Sequence, residues 1–113
     1  GNQSFEAYLE HLKTLSNSEI SYFQSNVEGE LINTLQASDH DGIILNAGGY
    51  THTSVALRDC IAAIGIPVVE VHISNVYERE SFRHTSYIAP NVKGIVAGFG
   101  LQSYELAIRS FIS

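Results

Sequence analysis

Residues 41–75, "DGIILNAGGYTHTSVALRDCIAAIGIPVVEVHISN", decide the fold. Ile43 to Leu45 form a short apolar run that ends at Asn46 and the glycines Gly48 and Gly49. Thr53 or Ser54 then stands where a helix takes a capping oxygen, and the helix predicted after it stops at Gly65. A second apolar run follows at Val68, Val69 and Val71. Two strands this apolar, separated by a helix, predict parallel neighbours in a sheet buried on both faces.

The same alternation continues outward. "SFEAYLEHLKTL" has Phe5, Tyr8, Leu9, Leu12 and Leu15 at helical spacing, with Ser4 placed to cap it. "EISYFQS" (19–25) reads as a strand, and "EGELINTLQAS" as a helix with acidic residues in its first turn. "YERESFRH" reads as a short helix, "VKGIVAGFG" as a last strand and "LQSYELAIRSFI" as a closing amphipathic helix. The order α-β-α-β-α-β-α-β-α predicts an α/β fold with a mostly parallel, doubly covered sheet. No repeat, low-complexity tract or linker divides the chain, so one domain is expected over 1–113.

Composition narrows the function classes. The chain has 113 residues, 44% hydrophobic and 16% charged, which suits a packed core. A net charge of −6 disfavours non-specific nucleic-acid binding, which needs Lys and Arg against phosphates. Cys60 is the single cysteine, so no intrachain disulfide forms and no thiolate metal site is indicated. Its apolar setting predicts a buried structural thiol, compatible with a reducing cytoplasm. The longest apolar stretch, "CIAAIGIPVV", is too short to span a membrane and contains Pro67. No secretory or lipidation signal is read within residues 1–113. The chain contains no methionine and opens on Gly1, so a processed or incomplete N-terminus is expected.

In sheets of this kind ligands bind beyond the carboxyl ends of the strands. That rule selects "NAGGYTHTS", "HISN" and "GFGLQS". In the first, Asn46 sits where the strand stops and His52 precedes a helix; the loop reads either as a polar ligand pocket or as a hydroxyl-rich helix cap. In the second, Glu70 and His72 are i and i+2 on a strand and share a face. A carboxylate on one imidazole nitrogen fixes the tautomer and leaves the other for acid–base work. A purely structural pair would look the same, because burying either group demands a partner. Arg79 and Arg83 fall i, i+4 on one helix face, either as an anion site or as a solvated face eased by Glu80. "GFGLQS" has a weak phosphate-loop spacing but reads better as a strand-to-helix turn. His11 and His40 read as surface residues, and no histidine pair has metal-ligand spacing.

Taken together, "NAGGYTHTSVALRD", "EVHISN" and "FRHTS" resemble the type II dehydroquinases, small flavodoxin-like dehydratases of the shikimate and quinate pathways. Further matching segments are "FQSNVEGELI" and "GIVAGFGLQSYELAI", so the resemblance covers most of the chain. It implies a cytoplasmic lyase of aromatic amino acid biosynthesis or quinate metabolism. The reaction would convert 3-dehydroquinate to 3-dehydroshikimate by anti elimination of water through an enolate, with no cofactor, metal or Schiff base. His72 would be the general acid, Glu70 its orienting partner, and Asn46 the residue that holds the enolate oxygen through a water. His52 and Arg83 would bind substrate hydroxyls, and the amides of Ile73 and Ser74 the substrate carboxylate. Asp59 would reach a neighbouring subunit's site in a homo-oligomer of trimers assembled into a dodecamer. The reading from a different class is a non-catalytic flavodoxin-like module for a small anion or nucleotide, using "GFGLQS" or "NAGG" as a phosphate cradle.

Members of that family begin with a strand and a lid loop carrying an arginine and the tyrosine that acts as base. Gly1 aligns with the glycine after that tyrosine, so strand, lid and base are expected in a segment outside residues 1–113. None of the chain's tyrosines matches the base by motif. In the order 2-1-3-4-5 that first strand lies between the strands at 19–25 and 42–46. Residues 1–113 by themselves are expected to retain carboxylate binding and to have little dehydratase activity.

Overall fold

The computed structural model describes residues 5–14, 23, 25–74 and 86–112. In chain order it contains α1 (Phe5–Lys13), α2 (Glu28–Gln36), β1 (Ile43–Leu45), α3 (Val55–Ile64), β2 (Val68–His72), β3 (Gly94–Ala97) and α4 (Gln102–Ile112). Short 3-10 turns lie at Gly48–His52 and Ala89–Asn91. The strand expected at 19–25 falls almost wholly outside the described residues, and the helix expected over "YERESFRH" and the Ser4 cap fall wholly outside them.

Among the described residues the sheet has the order β1-β2-β3, and both pairings are parallel. Leu45 lies opposite Glu70, and His72 opposite Ala97. β2 and β3 therefore end level and β1 stops opposite Glu70, all toward one edge of the sheet. All five residues of the central strand β2 are buried. Successive side chains of a strand point to opposite faces. Val68 packs with Leu45, Leu57, Cys60 and Ile61 on the face covered by α2 and α3. Val69 and Val71 pack with Ala107, Tyr104 and Phe111 of α4 on the other. Helices thus cover both faces, which is why β2 carries so little polar surface. The two polar residues it does carry, Glu70 and His72, share the α3 face with Val68.

Local chemistry sets the helix ends. Ser54 Oγ accepts the Leu57 N–H at 2.9 Å, satisfying one of the unpaired amides at the start of α3. Gly65 ends α3 with φ 73°, a left-handed conformation that costs a side chain-bearing residue about 1–2 kcal/mol. At α2 no side chain caps the helix from Val27; Glu28 and Glu30 in the first turn complement its dipole instead. Ser25 Oγ accepts from the Val27 amide at 3.0 Å and donates to Glu30 Oε2 at 2.7 Å. Cys60 is buried, and burial pushes its thiol up from the ordinary value. Among the described residues no helix is long and apolar enough to cross a membrane.

Candidate active site

Three strand ends meet at the sheet's carboxyl edge: β1 runs into Asn46, β2 into Ile73 and Ser74, and β3 into Gly98. A buried pair of side chains, a carboxyl and an imidazole, stands at the end of β2. Glu70 and His72 are 2% and 7% exposed, and His72 Nε2 lies 2.5 Å from Glu70 Oε2. With the carboxylate as acceptor, Nε2 carries a proton and Nδ1 is the nitrogen left for chemistry. The other carboxylate oxygen, Oε1, accepts from Ser86 Oγ at 2.9 Å. The imidazole of His52, also buried, stacks on that of His72 with centroids 6.0 Å apart and planes 22° apart. The β1 loop and the β2 end therefore converge on one spot.

Within "NAGGYTHTS", Gly48–His52 form a 3-10 turn, a form the sequence reading did not specify. Tyr50 N–H donates to the Ala47 carbonyl at 3.2 Å and Thr53 N–H to that of Tyr50 at 3.3 Å, the i→i+3 bonds of such a turn. This compact form carries His52 inward. Asn46, at its start, is held from both ends. Its Oδ1 accepts the Gly48 N–H at 3.1 Å, and its Nδ2 donates to the Tyr104 hydroxyl at 3.1 Å. A primary amide has two donors, so one Nδ2–H remains for a water or ligand. Thr51, fully buried, has a hydroxyl with no hydrogen-bond partner among the described residues.

"GFGLQS" forms a clasp on the end of β2. Gly98 N–H donates to the His72 carbonyl at 3.1 Å and Gly100 N–H to that of Ile73 at 2.8 Å. Ser103 Oγ, fully buried, donates to the His72 carbonyl at 3.3 Å and accepts the Phe99 N–H at 3.2 Å. Ser103 and Tyr104 amides close i→i+3 bonds on Gly100 and Leu101. These amides are taken up by the protein's own carbonyls and, for Phe99, by the Ser103 hydroxyl, and are unavailable to a phosphate. The stretch is a strand-to-helix turn that fixes the backbone of His72, Ile73 and Ser74.

Asn46, His52, Glu70, His72, Ile73 and Ser74 thus lie on one edge of the sheet. Asp59 is different: it is exposed on α3, where its Oδ1 lies 3.4 Å from Arg58 Nε. Arg79 and Arg83 lie outside the described residues. Exposed positions for His11 and His40 match the sequence reading. Ser86, Ser103 and Tyr104 touch site residues, a role the sequence reading gave to none of them, although Ser86 closes the quoted "FRHTS" and Ser103 the quoted "GFGLQS". They lie 16, 31 and 58 positions from the groups they bond, where no periodicity links them. A search for hydroxyls flanking the strand-end motifs is the signal that would have raised them.

A family model described as dehydroquinase class II matches residues 1–112. The chain is 49% identical over 118 residues to a 3-dehydroquinate dehydratase of Prochlorococcus marinus, across 100% of this chain and 81% of that protein. It is 50% identical over 113 residues to a 3-dehydroquinate dehydratase of Acaryochloris marina, across 98% of this chain and 73% of that protein. Among solved structures, the type II dehydroquinase of Butyrivibrio crossotus superposes with a TM-score of 0.93 at 41% identity, over 100% of this chain and 83% of that one.

Proposed function

The chain belongs to the class II dehydroquinase family, and from that premise we propose how its residues dehydrate 3-dehydroquinate. It is a flavodoxin-like dehydratase, a lyase of the shikimate pathway. The observation that carries the mechanism is the buried Glu70–His72 pair at the carboxyl end of β2.

A base removes the proton next to the substrate ketone, leaving an enolate. We assign that base to none of residues 1–113. Asn46 holds, through a water on its remaining Nδ2–H, the oxygen on which the negative charge develops. The enolate then collapses and its electrons expel the hydroxyl β to the ketone. His72 gives that oxygen a proton from Nδ1, so that water departs. Glu70 holds the imidazole through Nε2 and stabilises its charged form. The clasp from "GFGLQS" fixes the peptide whose amides, at Ile73 and Ser74, receive the substrate carboxylate. His52 and Arg83 bind the remaining hydroxyls. All this chemistry is acid–base, and no residue role here calls for a cofactor.

We read residues 1–113 as a single domain of a cytoplasmic enzyme that assembles from trimers into a dodecamer. Exposure of Asp59 on α3 supports its reaching a neighbouring site. A nucleotide- or flavin-binding module finds no support at "GFGLQS", where the amides of Gly98, Phe99, Gly100 and Ser103 are satisfied internally.

The test is turnover. The protein, with any residues flanking 1–113 retained, is mixed with 3-dehydroquinate and enone absorbance is followed. The proposal expects absorbance to rise catalytically. A folded protein that binds the substrate and yields no enone would contradict it.

A further inference from the structure

We propose that Ser86 is a positioning residue for the general acid: its hydroxyl locks Glu70, and Glu70 in turn sets the aim of His72. The inference rests on the reading of His72 as the acid.

The carboxylate of Glu70 is 2% exposed, so water cannot complete its hydrogen bonding. It needs a donor on each oxygen. His72 Nε2 serves Oε2, and Ser86 Oγ serves Oε1 at 2.9 Å. The last torsion of a glutamate is soft, with broad, roughly two-fold wells. Held by the imidazole alone, the carboxylate plane can swing and carry the ring with it. A donor on each oxygen fixes the plane, and the plane fixes the line along which Nδ1 faces the departing hydroxyl.

The serine hydroxyl is itself pinned. It accepts the Ala89 N–H at 3.0 Å, and its single proton is committed to Glu70. The next amide, of Tyr87, donates to the Thr51 carbonyl at 2.8 Å. Ile88 is fully buried in the core with Leu57 and Val68. Ser86 thus stands on backbone anchored to the turn that carries His52 on one side and to β2 on the other. It reads the position of both halves of the site and passes it to the acid.

A serine that merely starts the Ala89–Asn91 turn would affect stability alone. The experiment separates the two roles in the full chain, with any flanking residues retained. In Ser86→Ala, kcat on 3-dehydroquinate falls about tenfold while KM stays near the parent value. The far-downfield imidazole N–H proton resonance of the Glu70–His72 bond, identified by its loss in His72→Gln, shifts in the same variant. Ser86→Thr, which keeps the hydroxyl, restores both. Should Ser86→Ala not fold, Ser86→Cys keeps the side chain's place with a much weaker donor and reads the same loss. Parent kcat and an unmoved resonance in Ser86→Ala, beside an inactive His72→Gln, overturn this inference alone. Full turnover by His72→Gln overturns the acid assignment and this inference with it.

Discussion

The Gly100 amide donates to the Ile73 carbonyl at 2.8 Å, so the loop after β3 holds down the loop after β2. Gly100 makes this bond at φ 60°, and a Cβ added there would meet nothing within 4 Å. Conformational strain is therefore the whole cost of a side chain at this position.

Gly100→Ala is expected to lose about 1–2 kcal/mol of stability and to raise KM for 3-dehydroquinate, because the Ile73–Ser74 backbone that meets the substrate carboxylate loosens. Denaturant midpoints and steady-state kinetics measure the two effects. Unchanged stability together with unchanged KM would remove the clasp from the account.

Tyr104→Phe deletes the acceptor for Asn46 Nδ2 and leaves the ring in place against Val69 and Val71. Freed from one of its two tethers, the amide no longer presents its remaining N–H in one direction. A net hydrogen bond of about 1 kcal/mol corresponds to a roughly fivefold fall in kcat. Stability should change little. A Tyr104→Phe enzyme with parent kcat would mean that Asn46 is aimed by something else.

Thr51 offers a converse case. Its buried hydroxyl has no partner among the described residues, so Thr51→Val replaces an unsatisfied polar group by a methyl of the same shape. Stability is expected to hold or to rise by up to about 1 kcal/mol. A clear loss on chemical denaturation would show that the hydroxyl is bonded in solution.

Burial raises the proton affinity of the Cys60 thiol, so its thiolate is scarce at neutral pH in the folded protein. Modification by a disulfide reagent should be slow in the native state and should speed up sharply on unfolding. Its rate in the native protein should climb only as pH rises beyond the range where an exposed thiol already reacts. Rapid native labelling at neutral pH would show that α3 opens locally.

The strand–helix–strand core was legible because each of its signals is local. Three apolar residues marked β1, the pair Thr53 and Ser54 and the glycine Gly65 marked the ends of α3, with Ser54 the one that caps it, and a valine run marked β2. The shared face of Glu70 and His72 followed from the two-residue period of a strand. The 3-10 form of "NAGGYTHTS" was not legible, since two glycines permit many turns and the choice among them is made by packing of His52 and Thr51 inward. Ser86 and Tyr104 were invisible for a related reason: their bonds are made by side chains brought together from distant positions by the parallel strand order. "GFGLQS" was read correctly as a turn, but its use as a clasp depends on where the end of β2 lies beside it.

The central claim is that His72, held by Glu70, protonates the leaving hydroxyl. Steady-state turnover of 3-dehydroquinate by His72→Gln, in protein with any flanking residues retained, tests it most directly. The account predicts a loss in kcat of about a hundredfold or more while the substrate still binds. A His72→Gln enzyme with the parent kcat would contradict it.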